Sequence, residues 1–322
     1  MNLSGHYADR VPDMETPRYA YFGPAGTFTE QALRSLPQAV GAEHVPCTTV
    51  SIALDKVRSG EVLGAVVPIE NSVEGSVSVT LDELASGEPL LITREVTVPV
   101  TFSLVARDQR DLSEVKVVGT HPHAEAQTRS WVAQHLPGAI VVPAPSTAAA
   151  AAAIASGHTD WDAAICAPLA AEYYALTTLA TGIGDNPDAQ TRFVLVGRGG
   201  ISVPPTGADK TTLVVYIRDD HAGALLELLE EFQLRGVNLT RIESRPTGVG
   251  LGKYCFSIDC EGHIEDERVG EALMGLKRSC ADVRFLGSYP RVDGQSTPIK
   301  DGTSDDDFHD ATAWLSRLRN AL

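Results

Sequence analysis

Asn186-Pro187-Asp188-Ala189-Gln190-Thr191-Arg192-Phe193 runs into the apolar stretch Val194-Leu195-Val196 and then Gly197. A polar loop becomes a buried strand here, and side chains at such a strand edge face a cleft rather than bulk water. Arg192 offers a planar fork for a carboxylate, and Thr191 beside it offers a proton donor that carries no charge of its own. Taken alone, the same residues also fit a β-former opening a strand next to a solvated charge.

Upstream, one pattern repeats: strand, hydroxyl-bearing loop, helix. Residues 19–23 read as a strand, Gly23-Pro24-Ala25-Gly26 as a turn, and Thr27-Phe28-Thr29-Glu30 has capping-box spacing, which predicts a helix from Thr27. The turn fits neither G-x-G-x-x-G nor G-x-x-x-x-G-K-S/T, so it is no nucleotide signature. A strand over 43–49, a helix over 52–59 and a buried strand over 64–69 follow. The loop Glu70-Asn71-Ser72-Val73-Glu74-Gly75-Ser76 then opens a helix through Leu84. Asn71, Ser72 and Ser76 lie where open α/β sheets bind ligands, at the carboxyl end of a strand, although either serine also suits an N-cap.

Residues 97–105 alternate as strands do and cross into a second lobe. A strand over 115–119 ends in Thr120-His121-Pro122-His123, with Pro122 at a first-turn position and Thr120 or His121 as cap. His121 suits capping and ligand contact equally. His121 and His123, two apart, cannot share a helix face, so no metal pair is expected. After a strand over 139–142, Pro145-Ser146-Thr147 caps an alanine helix that Gly157 stops. Residues 163–167 are expected as the last strand of this lobe. Several Ser/Thr-capped helix N-termini converging on one crevice suit a carboxylate-rich small molecule, since N–H dipoles and hydroxyls stabilise anions without lysine.

The chain has 322 residues, room for two or three domains, with 26 Lys+Arg against 42 Asp+Glu and a net charge of −16. That balance argues against a nucleic-acid partner. Five scattered cysteines without CxxC spacing fit reduced thiols and indicate neither zinc nor disulfides. The first eighteen residues read as a disordered tail without a secretion signal, and no apolar run is long enough to span a membrane, so a cytoplasmic protein is expected.

Together, Gly23-Pro24-Ala25-Gly26-Thr27-Phe28, Pro68-Ile69-Glu70-Asn71-Ser72-Val73-Glu74-Gly75, His121-Pro122 with Gln127, Ser146-Thr147-Ala148-Ala149-Ala150 and Thr191-Arg192-Phe193 resemble the prephenate dehydratase family. The resemblance implies an α/β catalytic region over 19–201, two-lobed like type 2 periplasmic binding proteins. Lobe 1 would take about 19–95 and 190–201, and lobe 2 about 96–189. It implies conversion of prephenate to phenylpyruvate with loss of water and carbon dioxide, and no cofactor. Thr191 would be the acid and Arg192 a carboxylate clamp. Thr27, Asn71, Ser72, Ser76, Thr120, His121, Gln127, Ser146, Thr147 and Phe193 would bind substrate. Arogenate dehydratase is the alternative within the family.

Beyond a linker over 202–209, residues 210–291 read in the order βαββαβ, a ferredoxin-like sandwich. On fold alone it suits RNA binding or subunit pairing, and the acidic balance disfavours RNA. Gly223-Ala224-Leu225-Leu226 and Glu243-Ser244-Arg245-Pro246 resemble the two motifs of the ACT domain of these enzymes, which implies phenylalanine as an allosteric effector held between paired domains, with Asn238 and Leu239 also lining the pocket. The resemblance implies a homodimer or homotetramer. The tail over 292–322 carries Asp305-Asp306-Asp307, then Phe308, Ala311, Leu315, Leu318 and Leu322 at helical spacing, an apolar stripe expected to dock. A solute-binding protein is disfavoured by the missing secretion signal, and a transcriptional sensor by the lack of a basic helix-turn-helix.

Overall fold

Strand–helix units build the first lobe: β1 (Arg18–Phe22), α1 (Phe28–Arg34), β2 (Glu43–Cys47), α2 (Val50–Arg58), β3 (Gly64–Asn71), β4 (Gly75–Ser76), α3 (Ser78–Ala85) and β5 (Leu90–Pro99). The second lobe holds β6 (Ser103–Ala106), β7 (Val117–Thr120), α4 (Pro122–His135), β8 (Ile140–Pro143), α5 (Thr147–Ser156), β9 (Ala163–Cys166), α6 (Pro168–Tyr173) and β10 (Thr177–Thr181). β11 (Gln190–Arg198) returns to the first lobe. A third unit comprises β12 (Asp209–Tyr216), α7 (Ala224–Gln233), β13 (Leu239–Pro246), β14 (Tyr254–Glu261), α8 (Glu267–Ser279) and β15 (Asp282–Pro290), followed by α9 (Asp305–Asn320). This computed structural model describes residues 16–200, 203–248, 250 and 254–321. Most of the expected N-terminal tail, part of the segment between the second and third strands of the expected βαββαβ unit and Leu322 lie outside the described residues.

The sheet orders are β2-β1-β3-β11-β5, with β4 on β3, then β10-β6-β9-β7-β8, and β13-β14-β12-β15. The chain therefore crosses between the first two sheets twice, once after β5 and once before β11. The third sheet has the expected βαββαβ order, a ferredoxin-like fold. β10 corrects the expectation that 163–167 closes the second lobe: it pairs antiparallel with β6 across a bulge at the sheet edge. Its sequence, Thr-Thr-Leu-Ala-Thr, lacks the apolar run that marks a fully buried strand.

β11 runs antiparallel between β3 and β5 and decides which side chains meet which neighbours. Successive side chains of a strand point to opposite faces. Phe193 and Leu195 join a core under α1 with Tyr21, Leu33 and Val98. Val194 and Val196 join the other core, where Leu54 of α2 and Leu84 of α3 pack together with Val214, Leu286 and Tyr289 of the third sheet. One hydrophobic core is thus shared by the first lobe and the ferredoxin-like unit. The other face of the third sheet is closed by α7 and α8 over Leu213, Val215, Phe256 and Ile258.

At this junction β15 lies against β5. Gly287 sits at φ +126°, and a Cβ there would fall 2.2 Å from the carbonyl oxygen of Ile92, so both the conformation and the close approach require glycine. α9 starts at Ser304 with a full capping box and three acids in its first turn, as the sequence suggests. Its docking is polar rather than apolar: Asp305 Oδ1 accepts from the Glu267 amide at 2.9 Å, and His309 pairs with Glu267. Trp314, Leu315 and Leu318 stay exposed, so the expected docking of the stripe is not made among the described residues.

Gly287→Ala is expected to destabilise the junction by about 2–4 kcal/mol through strain and overpacking combined. Urea unfolding would then show the transition of the third unit shifted to lower denaturant, whereas an unchanged midpoint would contradict the close approach.

Candidate active site

Between the two lobes lies a cleft of about 670 Å³. Its polar rim comes from helix starts, because the same local chemistry that caps a helix also turns its hydroxyl toward the strand ends. Thr27 accepts from Glu30 N at 3.4 Å, His121 Nδ1 from His123 N at 3.2 Å, and Ser146 from Ala149 N at 2.9 Å. Glu30 does not close the capping box onto Thr27 itself but reaches one residue further back, accepting from Gly26 N at 2.6 Å. The starts of α1, α3, α4 and α5 all line the cleft, through Thr27, Ser78, His121 and Thr147.

Thr191 lies on the wall from the first lobe, 8% exposed. Asn71 is its cross-strand neighbour, and Asn71 Nδ2 donates to Thr191 Oγ1 at 2.8 Å. The amide is oriented by its other end: Asn71 Oδ1 accepts from the Val73 and Glu74 amides at 2.8 and 3.0 Å. With the carbonyl so engaged, the Asn71 NH₂ must face the threonine. Thr191 Oγ1 therefore acts as acceptor inside the protein and keeps its own proton for the cleft.

Of the residues singled out from the sequence, Thr27, Asn71, Ser76, His121, Gln127, Ser146, Thr147, Thr191 and Phe193 line this one cavity. Gln127 Oε1 is buried without a hydrogen-bond partner in the described protein. Ser72, Thr120 and Arg192 do not line it. Ser72 clamps the ends of β3 and β11, its hydroxyl accepting from Gln190 N and its amide donating to Gln190 O, both at 2.9 Å. Thr120 is fully buried and donates to Ile165 O at 2.8 Å, tying β7 to β9.

Arg192 is the main correction. Being next to Thr191 on a strand, it points to the opposite face of the sheet. There Nε donates to Glu70 at 3.1 Å, Nη1 to Glu95 at 3.0 Å and Nη2 to Asp259 of β14. Its fork is occupied by three protein carboxylates and faces away from the cleft.

Sequence reasoning missed the apolar half of the cavity. Phe28 of the first lobe and Phe102 of the second meet edge to face, centroids 5.9 Å apart, and Phe22, Val100 and Pro145 extend this surface. In sequence Phe28 stands out only as the end of the Gly23–Phe28 motif, and its neighbour in the other lobe is 74 positions away (102 − 28).

A second cavity, of about 420 Å³, lies in the third unit and brings together Gly223, Ala224, Leu225 and Leu226 with Ile217, His221, Tyr254 and Phe256. Asn238, Leu239, Glu243, Ser244, Arg245 and Pro246 do not line it. Strand alternation explains part of this. Glu243 and Arg245 face the first lobe, where Glu243 accepts from Ser76 Oγ at 3.2 Å and Arg245 holds Asp82 at 3.0 and 2.8 Å. Leu239 packs against the core beneath the helices.

Burial pushes the pKa of His121 below its ordinary 6.5, and His123 adds to this, with Glu74 opposing. His121 is therefore held neutral, as its role as acceptor in the cap requires.

Two α/β lobes around a hydroxyl-rimmed cleft lined by helix starts, with a ferredoxin-like unit appended, define a class of protein built to hold a small polar molecule between its lobes. Comparison with known proteins makes this particular: the family model for prephenate dehydratase matches residues 19–200 and that for the ACT domain matches 211–278. The prephenate dehydratase of Amycolatopsis methanolica is 50% identical over 303 residues, covering 94% of this chain and 98% of its own. Among solved structures, prephenate dehydratase from Arthrobacter aurescens in complex with L-Phe superposes with a TM-score of 0.91 at 53% identity, covering 94% of this chain and 99% of its own. GqqA, a quorum-quenching acylase, does so with 0.76 at 29%, covering 85% and 97%. The chain belongs to the prephenate dehydratase family.

The lowered His121 pKa has a stability consequence. The unfolded chain takes up this proton first as pH falls, so the contribution is present above about pH 6.5 and is lost as pH drops through that value toward the lower folded pKa. His121→Asn keeps a cap acceptor and removes the titration. Thermal melts between about pH 7.5 and 5.5 should therefore lose less stability in the variant than in the parent, and superimposed profiles would count against the assignment.

Proposed function

We propose that the chain catalyses the decarboxylating dehydration of prephenate to phenylpyruvate, water and carbon dioxide, with Thr191 as the general acid. The observation that carries this reading is the Asn71–Thr191 hydrogen bond, in which the threonine oxygen accepts and its own proton stays available for the substrate. The proton passes from Thr191 Oγ1 to the ring hydroxyl at C4. The C4–O bond breaks to release water as the C1–carboxylate bond breaks to release carbon dioxide, and its electron pair completes the aromatic ring. Solvent then returns a proton to the threonine. A threonine is a weak acid in water, so the donation relies on the Asn71 dipole and on the enclosed site; positioned acid assistance is worth about 10²- to 10⁴-fold.

Recognition of the dianion falls to the helix starts at Thr27, Ser78, His121 and Thr147 and to the hydroxyl of Ser146, while the Ser76 hydroxyl is engaged by Glu243. Phe28, Phe102 and Phe193 offer the ring an apolar surface, which suits a substrate that becomes aromatic. L-phenylalanine is the proposed effector of the third unit. This rests on the ACT match and on the Arthrobacter relative, which was solved in complex with L-Phe. Self-association to a homodimer or homotetramer, through the exposed Leu225, Leu226, Ile242 and Tyr254, and a cytoplasmic location complete the reading. Among the described residues no helix is long and apolar enough to cross a membrane.

Thr191→Ala should lower kcat on prephenate by roughly two orders of magnitude or more with KM largely kept, and Thr191→Ser should retain much of the turnover. Unchanged turnover in the alanine variant would remove Thr191 from the mechanism, and faster turnover of arogenate than of prephenate would reassign the substrate. Gly223→Val, which places a branched side chain at φ +102° in the second cavity, should raise the L-phenylalanine needed for half-inhibition by about tenfold or more at unchanged kcat. An unaltered inhibition curve would place the effector elsewhere.

A further inference from the structure

We propose that Arg192 and Asp259 are positioning residues for the reaction: an ion clip between the catalytic and regulatory sheets fixes where Thr191 stands. The proposal rests on the reading of Thr191 as the acid. On one face of the sheet, Thr191 and Asn71 are directly paired across β11 and β3. The next pair in register is Arg192 and Glu70, on the other face, and these two are joined by a salt bridge at 3.1 Å. Arg192 also reaches β5 through Glu95 at 3.0 Å and β14 through Asp259. One guanidinium thus links the strand of the acid, the strand of its orienting amide, the strand on its other flank and the regulatory sheet.

The clip is built for rigidity. Asp259 is fully buried and accepts from Arg192 Nη2, from Arg241 Nε and Nη2 at 3.0 and 2.9 Å, and from Thr212 Oγ1 at 2.8 Å, which fills its lone pairs. Lys210 neutralises Glu95 at 2.8 Å, so Arg192, Lys210 and Arg241 balance Glu70, Glu95 and Asp259. A bulge between Arg192 and Phe193, where the partner on β3 skips from Glu70 to Pro68, leaves the register weakest beside the acid. An ionic bolt at that point resists slippage. A planar fork with three carboxylates has no equivalent in a lysine, so charge alone restores only part of the geometry.

The full-length chain is assayed on prephenate as the parent, Arg192→Met, Arg192→Lys, Asp259→Asn, Thr191→Ala and Thr191→Ala/Asp259→Asn, with circular dichroism confirming fold. Arg192→Met and Asp259→Asn should lower kcat by about 10- to 100-fold with KM within about twofold, and Arg192→Lys should recover part of the loss. In the Thr191→Ala background, Asp259→Asn should cost little more, because a positioning residue acts only through the group it positions. If Arg192→Met does not fold, Asp259→Asn and Arg192→Lys supply the same kcat-against-KM split. Full activity in Asp259→Asn or Arg192→Met, a KM rise at unchanged kcat, or additive losses in the double variant would overturn the clip. An inactive parent or an active Thr191→Ala would instead overturn the functional reading.

Discussion

Two sheets that share a core are held in register by charges buried between them. Taking a guanidinium and a carboxylate out of water is costly, and their attraction offsets this only when the remaining lone pairs and protons are also satisfied. At Asp259 they are. Burial raises its pKa, but Arg192 and then Arg241 outweigh this and hold the carboxyl far below the ordinary range. Arg241 Nη1 is buried without a hydrogen-bond partner among the described residues, so the arrangement is not free of penalty. An apolar replacement of the cluster could pack as well, yet it would not single out one register. Hydrophobic contact among Val194, Leu286 and Tyr289 tolerates sliding; three carboxylates on one fork do not.

The cleft meets the opposite demand. Its ligand is a dianion and the protein carries a net charge of −16, yet among the described residues neither lysine nor arginine lines it. Backbone dipoles do this work locally, where the long-range field is screened. Neutral donors also suit the chemistry better than a guanidinium would. A carboxylate that departs as carbon dioxide loses its charge to the ring in the transition state. A full positive charge fixed on it would stabilise the ground state more and slow the step.

What could be read in advance was local. The caps at Thr27, His121 and Ser146 depend on residues within three positions of one another, and each lines the cleft. The order βαββαβ likewise follows from short-range periodicity. Reading Thr191, Arg192 and Phe193 as facing one way, however, overlooked the period of two in a strand they themselves open. The same oversight affected Glu243 and Arg245. Alternation alone would have turned Arg192 away from Thr191; what it faces instead depends on Asp259, 67 positions later, and on a docking of two sheets that leaves no local mark. The Phe28–Phe102 contact and the Asn71–Thr191 bond are illegible for the same reason. In α9, capping and first-turn acids announced the helix, but an apolar stripe says only that something could cover it.

The two kinds of contact between the catalytic and regulatory parts differ in strength, and this bears on regulation. Arg245 and Asp82 pair at 2.8 Å with side chains 20% and 51% exposed, and Ser76, on the rim of the cleft, donates to Glu243. Such half-exposed contacts are worth about 0–1 kcal/mol each. Breaking a buried pair such as Arg192–Asp259 costs about 3–5 kcal/mol. Allosteric coupling is typically about 1–3 kcal/mol. The contacts of β13 with the β3–β4 hairpin and α3, along one wall of the cleft, fall within that range, and the buried clip does not. A ligand acting through this junction would shift the rim and leave Thr191 in place, and so would alter substrate binding before the chemical step.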